Sequence, residues 1–375
     1  DVGARREGFG YKMVAATQTP SAYAAAEITP TLTKGLVELC KTKPSDPVAW
    51  LGSWLLANKP APPVIDASEK MQSAFVFVKP HANTPAVKEV VLKKFAEKGI
   101  KVLVEGSIDG PTIDDQKLID QHYYAIASKA TMTTASALPV PAEKFSASFG
   151  EEWEAVKADG RCFNALECCK HLGIDAVELF KRWKGAEAKK KLVKFGGGFY
   201  CGALETEGAP TVYVFNAFFM SMRGKFTAPE AAITYFVVEF DPAVLAWGDF
   251  RGAVLGPTDP AKAPGDSLRG MLNADWESLG LAAAPNTTDN GVHASASPFE
   301  GLAERMNWLQ ASIADDPFGK KLLAAGIPAE TLTKWSVDPR VPMPDGSTGS
   351  LFDALEDLDL AECIEKAVAI AAVGV

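Results

Sequence analysis

The sequence predicts an α+β protein: a ferredoxin-like sheet of βαββαβ order, with a two-helix unit in front of it and an inserted helical subdomain within it. Three features lead to that reading. Runs rich in β-branched and aromatic residues, at 73–79, 100–107 and 233–240, alternate with stretches of helical apolar spacing at 85–98 and 113–127, which suits a sheet with helices on one face. Leucines recur at helical spacing on two short segments between residues 30 and 57. Finally, residues 128–212 interrupt the alternation over a length that no ordinary connection needs, so they read as an insertion.

In chain order, residues 1–28 are rich in Ala and Gly with little periodicity and read as an extended arm. Leu32, Leu36 and Leu39 form one stripe on a helix over 30–42. Asp46 is placed to cap a second helix over 47–57, and Pro47 sits in its first turn. Val48, Leu51 and Leu55 make one face of that helix, with Trp50 and Trp54 adding an apolar edge. Two helices this short cannot cover that surface by themselves, so residues 29–58 are expected to dock on another copy or another surface, packing on the central domain being the alternative. Lys59-Pro60-Ala61-Pro62-Pro63 stiffens a linker over 59–71.

The central domain, residues 72–312, then runs strand 73–79, helix 85–98, strand 100–107, helix 113–127, a strand near Ile233–Phe240 and another near 288–294. Within the insertion, helices are expected at 150–158, 162–171 and 175–193, the last a lysine-rich, solvated helix able to meet an acidic partner. Gly196-Gly197-Gly198 lacks the Lys-Ser/Thr ending of a phosphate-binding loop and reads as a turn. In the C-terminal extension, 313–375, an extended segment at Asp338–Pro344 precedes an acidic amphipathic helix from Ser350, together a packing or contact arm.

Composition excludes some functions. At 375 residues and a net charge of −9, with a pI near 5.2, a general nucleic-acid surface is not expected, and any phosphate site must be a local basic pocket in an acidic body. The longest terminal apolar run, Ala367–Val375, is too short to cross a membrane. The sequence opens on Asp1 rather than Met, which suggests an incomplete or processed amino end, and shows no signal-peptide pattern. Six cysteines without Cys-x-x-Cys spacing point to reduced thiols in a cytosol-like compartment. Cys162, Cys168, Cys169 and His171 cluster in a stretch that reads as an amphipathic helix with the small apolar cysteines on its buried side, a metal site being the minor alternative, and no protein-held metal is expected.

The chemistry-bearing residues gather around His293. An imidazole can attack phosphorus when a hydrogen bond fixes its tautomer and cations neutralise the phosphoryl oxygens. Glu304 is the candidate orienting carboxylate, and Arg269 and Lys79 are the candidate cations. A hydrogen-bonded structural histidine is the bland alternative. The set resembles the nucleoside diphosphate kinase family over about 72–128 and 213–312. Ala74-Phe75-Val76-Phe77-Val78-Lys79-Pro80 looks like the opening strand with its phosphate-contacting lysine, and Gln121-His122-Tyr123 like the segment carrying the active-site tyrosine. Leu255-Gly256-Pro257-Thr258-Asp259-Pro260 with Leu268-Arg269-Gly270 is similar to the signature run, and Asn290, His293, Glu304 and Trp308 keep the family's later spacing. The resemblance implies a nucleoside diphosphate kinase fold and phosphoryl transfer from nucleoside triphosphates to diphosphates. His293 would be the nucleophile, oriented by Glu304, with Lys79, Tyr123, Thr258, Arg269 and Asn290 on the phosphates and Mg²⁺ carried by the nucleotide rather than by the protein.

The sequence departs from the family in three places. A second active-site arginine would fall at Gly252, with Arg251 one residue away, a slip that on a helix or loop points the side chain elsewhere; the pattern His-Gly-Ser-Asp has become His293-Ala294-Ser295-Ala296; and about eleven additional residues separate Arg269 from Asn290. The base-stacking aromatic has no clear counterpart, Val214 and Phe215 being nearest. At the front, residues 31–56 resemble the Dpy-thirty motif, a dimerisation and docking module. That resemblance implies a second Dpy-thirty-type chain and an amphipathic helix of a scaffold protein as partners of Leu32, Leu36, Leu39, Leu51 and Leu55. The combination implies an address in the cytoplasm and cytoskeleton, among axonemal proteins of cilia and flagella such as radial spokes. A scaffold that has kept the kinase fold for shape is the alternative to an enzyme.

Overall fold

The computed structural model describes residues 29–58, 70–206 and 208–374; the expected arm at 1–28 and most of the proline linker lie outside the described residues. The front helices form where their spacing places them, α1 over Thr29–Thr42 and α2 over Pro47–Ala57. Asp46 caps α2 by accepting the Ala49 N–H at 3.0 Å, and Pro47 stands where its missing N–H costs nothing. Gly35 allows the two helices to close, since a Cβ there would lie 2.9 Å from atoms of Leu51 and Trp54. Leu32, Leu39, Leu51 and Leu55 are half-buried, while Leu36 and Val48 are 43% and 81% exposed.

The central domain begins with β1 (Gln72–Val78), α3 (Pro85–Glu97) and β2 (Lys101–Asp109). Instead of one helix over 113–127 there are three short ones, α4 (Gly110–Asp115), α5 (Leu118–His122) and α6 (Tyr124–Ala127). The first break is at Lys117, whose backbone takes the left-handed region at φ 57.

The insertion holds α7 (Ala142–Phe149), α8 (Trp153–Ala158), β3 (Cys162–Asn164), α9 (Ala165–Leu172), α10 (Ala176–Ala188), β4 (Leu192–Gly196), β5 (Phe199–Leu204) and β6 (Val212–Phe215). It is therefore not purely helical: its strands form their own sheet of order β3-β6-β5-β4. The helix expected at 162–171 starts three residues late because Asn164 and Glu167 make a capping box, leaving Cys162 and Phe163 extended. The helix expected at 175–193 stops at Ala188, and its last residues enter β4, a run of alternating apolar character. The three glycines form the β4–β5 turn.

After α11 (Phe218–Thr227) the chain returns to the central sheet as β7 (Ala232–Phe240), passes α12 (Trp247–Asp249) and α13 (Leu268–Ala274), and adds β8 (Val292–Ala294). The order β2-β7-β1-β8, antiparallel throughout, is the ferredoxin-like arrangement. From Ala74 onward β1 is apolar because both of its faces are covered. Ala74, Val76 and Val78 pack with α3 on one side, and Phe75 and Phe77 pack with Ile113, Leu118, Ile119 and Trp308 on the other.

The central domain closes with α14 (Pro298–Leu309), and the extension forms α15 (Pro317–Ala324), α16 (Ala329–Trp335), the hairpin β9 (Arg340–Pro342) and β10 (Thr348–Ser350), α17 (Leu351–Leu355) and α18 (Leu360–Val373). These elements build a core around Phe299 and Leu302 of α14. No described helix is long and apolar enough to cross a membrane.

Candidate active site

Strand alternation decides where His293 points. It pairs with Phe77 in the β1–β8 register, so it shares the face of Phe75 and Phe77 and stacks on Phe77 with ring centroids 4.7 Å apart. Its neighbours Val292 and Ala294 go to the opposite core. That face is roofed by α14, which supplies Glu304: His293 Nε2 and Glu304 Oε1 are 2.5 Å apart. The other carboxylate oxygen accepts from Ser295 Oγ at 2.6 Å, while Ser295 Oγ accepts the Phe75 N–H at 2.8 Å. Glu304 is thus fixed from two sides.

Burial holds His293 well below the ordinary histidine range, with Lys79, Arg269 and Arg251 adding repulsion, so the ring is neutral at physiological pH. Burial pushes the Glu304 carboxyl up to about 8. The two facts set the tautomer. A protonated Glu304 donates to Nε2 and leaves the ring proton on Nδ1; an ionised Glu304 accepts from Nε2–H and leaves a lone pair on Nδ1.

His122, on α5, completes the cluster. Its Nδ1 accepts from Trp308 Nε1 at 3.4 Å, and its ring stands edge-on to His293 at 4.6 Å. No local sequence signal marks His122, which stands beside the motif tyrosine Tyr123. Donor atoms of His122, His293 and Glu304 lie within 4.8 Å of one another. Two ligands of one tetrahedral zinc stand roughly 3.3 Å apart. The 2.5 Å between His293 and Glu304 is instead a hydrogen-bond distance.

Lys79, Tyr123, Thr258, Arg269, Asn290 and His293 all line one cavity of about 600 Å³, although they come from distant parts of the chain. Lys79 follows β1 and is pinned by its backbone N–H on Gly291 O at 2.8 Å; its ammonium donates to Thr288 O at 3.1 Å and is lowered to about 8, chiefly by burial. Arg269 spends three of its five N–H groups on Val292 O and Gly256 O, at 2.8–3.2 Å, and the rest remain for a ligand. Asn290 donates to Thr258 O at 3.2 Å, and its buried Oδ1 has no partner among the described residues. Gly291 between Asn290 and His293 sits at φ +85, where a Cβ would meet Leu272 at 2.3 Å, so only glycine gives this turn.

Two expectations change. Arg251 reaches the cavity along with Gly252, because residues 250–255 are wound with i→i+5 hydrogen bonding, Gly256 N–H to Arg251 O, and a one-residue slip no longer turns the side chain away. Val214 and Phe215 are buried in the insertion's sheet and do not line the cavity; Met222 and Phe226 of α11, one helical turn apart, form its apolar wall with Ile126.

A model of the Dpy-30 motif matches residues 20–60. The chain carries a Dpy-30 motif. Nucleoside diphosphate kinase homolog 5 of Homo sapiens is 52% identical over 46 residues, and that of Danio rerio 47% identical over 53. Those matches cover 12% and 14% of this chain and span only 22% and 24% of the relatives' own length. Among solved structures, the nucleoside diphosphate kinase of Aquifex aeolicus is similar at a TM-score of 0.31 and 12% identity, covering 64% of this chain and 94% of that one. The NDP kinase from Pyrobaculum aerophilum gives 0.31 and 15%, covering 64% and 95%.

Proposed function

We propose that this chain transfers the γ-phosphate of a nucleoside triphosphate to a nucleoside diphosphate through a phosphohistidine at His293, and that its Dpy-30 helices dock it in an axonemal assembly. The observation that carries the first part is a neutral, half-buried imidazole whose Nε2 is committed to Glu304, in a cavity shared with Lys79 and Arg269. The Nδ1 lone pair attacks the γ-phosphorus, the bond to the β–γ bridging oxygen breaks, and the diphosphate leaves with that electron pair. A terminal phosphate oxygen of a second diphosphate then takes the phosphoryl group back from Nδ1. Lys79 and Arg269 neutralise the phosphate oxygens, Tyr123, Thr258 and Asn290 position them, and Met222 and Phe226 give the base an apolar wall.

Mg²⁺ carried on the nucleotide would add charge neutralisation. The cavity suits a metal that arrives on phosphate, because its carboxylates are already engaged: Asp289 with Lys225 at 2.6 Å, Glu356 and Asp357 with Arg251, and Glu300 with the Ala296 N–H. A structural role is the second reading, favoured by the backbone carbonyls that already satisfy much of Lys79 and Arg269. Incubation with γ-labelled ATP separates the two. Acid-labile label that passes to added GDP supports the transfer, and no label above background leaves the scaffold.

The tautomer argument predicts a pH dependence. At saturating Mg-ATP, phosphohistidine formation should rise about tenfold per pH unit below roughly pH 8 and level off above it, as ionised Glu304 frees Nδ1. Saturation is needed because Lys79, lowered to about 8, loses charge over the same range in the free protein, whereas bound phosphate raises it again. A flat single-turnover profile from pH 6 to 9 would remove Glu304 from this role.

For docking, Leu36→Asp is the informative change. Leu36 is exposed within the chain, so folding tolerates a charge that a partner's apolar surface cannot, at a cost of roughly 2 kcal/mol or more. Co-precipitation with axonemal components should be lost while labelling at His293 persists. Leu51 is less suitable because it packs against Gly35, and Asp there would also part α1 from α2. Undiminished co-precipitation by the variant would rule out docking through this face.

A further inference from the structure

The cavity around His293 is also lined by Arg251, Glu356 and Asp357, and the two acids come from the C-terminal extension, at the end of α17. Arg251 Nη1 stands 2.5 Å from Glu356 Oε1 and 2.8 Å from Asp357 Oδ1. The fold holds the acids in place. Leu355 and Leu360 on either side are buried in the extension's core, the Asp357 N–H donates to Ala296 O at 2.9 Å, and the Asp357 backbone adopts φ 60, a region that side chains enter at a cost. The pairing does not satisfy the cleft: among the described residues Arg251 Nε has no hydrogen-bond partner, and neither has Asn290 Oδ1, although Asn290 is 3% exposed. A guanidinium takes the oxygens of a carboxylate and those of a phosphate by the same fork of donors.

We propose that Glu356 and Asp357 form an internal latch, occupying Arg251 in place of a nucleotide phosphate, so that nucleotide binds by displacing them. The inference rests on the phosphate-transfer reading of this cleft and adds its regulation. Movement of the extension, through whatever contacts it makes, would then set nucleotide affinity.

The test is a double-mutant cycle on the full chain, with ADP affinity measured by titration calorimetry. The Glu356→Gln, Asp357→Asn double variant should bind ADP about tenfold more tightly than wild type, the combined worth of two half-exposed ion pairs. The same pair of changes on an Arg251→Gln background should give no gain. Equal affinities, or weaker binding by the double variant, overturn the latch while leaving the phosphate site standing; weaker binding would mean that the acids support Arg251. A gain that persists without Arg251 would mean only reduced net negative charge and overturns it too. If ADP binds none of these proteins, the phosphate reading falls and the latch with it. Circular dichroism confirms folding, and Glu356→Gln alone carries the test, with a smaller gain, should the double variant not fold.

Discussion

Replacing His293 by alanine should reduce acid-labile label from ATP to background and abolish transfer to a second nucleotide, while ATP still binds. The imidazole is the group at which the bond forms, whereas Lys79, Arg269 and Asn290 would remain to hold phosphate. Above about pH 8, where Glu304 is ionised, Glu304→Gln should be graded: losing the charged partner of His293 removes about 1.5–3 kcal/mol, or roughly 10- to 150-fold in the labelling rate. His81 lines the same cavity and is the necessary control, although its Nε2 accepts the Gly291 N–H at 3.2 Å. Label retained by His293→Ala and lost by His81→Ala would transfer the nucleophile's role to His81 and overturn the assignment.

The largest effect on stability is expected at Asp316. Arg305, the residue after Glu304 on α14, is 4% exposed and pairs with both carboxylate oxygens of Asp316, at 2.6 and 3.1 Å, and Nη1 reaches Ser73 O at 3.2 Å. Asp316 also accepts the N–H groups of Phe318 and Gly319, capping α15. Asp316→Ala would leave a guanidinium buried without its counter-charge, a loss of roughly 3–5 kcal/mol. Urea unfolding followed by tryptophan fluorescence checks it, and removing both charges in Arg305→Met, Asp316→Ala should recover much of the loss. A change under about 1 kcal/mol for Asp316→Ala would show that the pair is hydrated and dispensable. Because Arg305 adjoins Glu304, the single variant should slow His293 labelling as well.

Several elements were legible in the sequence for local reasons. Asp46-Pro47 announces a helix start by its capping and fixed φ, and it starts α2. The β-branched and aromatic runs at 73–79, 100–107 and 233–240 mark strands because such side chains fit a covered pleated surface, and they are β1, β2 and β7. The spacing of Asn290, His293 and Glu304 was likewise sufficient to propose one site. The insertion differs from its expected helices where local rules compete: residues 162–164 and 192–193 fit the end of a helical stretch as well as a strand, and only pairing among β3, β6, β5 and β4 selects extended backbone there.

What the sequence by itself determined were helix caps, strand-forming runs and the identity of the phosphate-suited residues, all properties of a few adjacent side chains. Only the tertiary structure decided that Phe77 lies opposite His293, that His122 and Ser295 hold the pair from its sides, that Arg251 turns into the cleft, and that Glu356 and Asp357 reach it from the far end of the chain. Those outcomes depend on register, a one-residue change in helical winding and the packing of a distant core, none of which leaves a trace in local spacing.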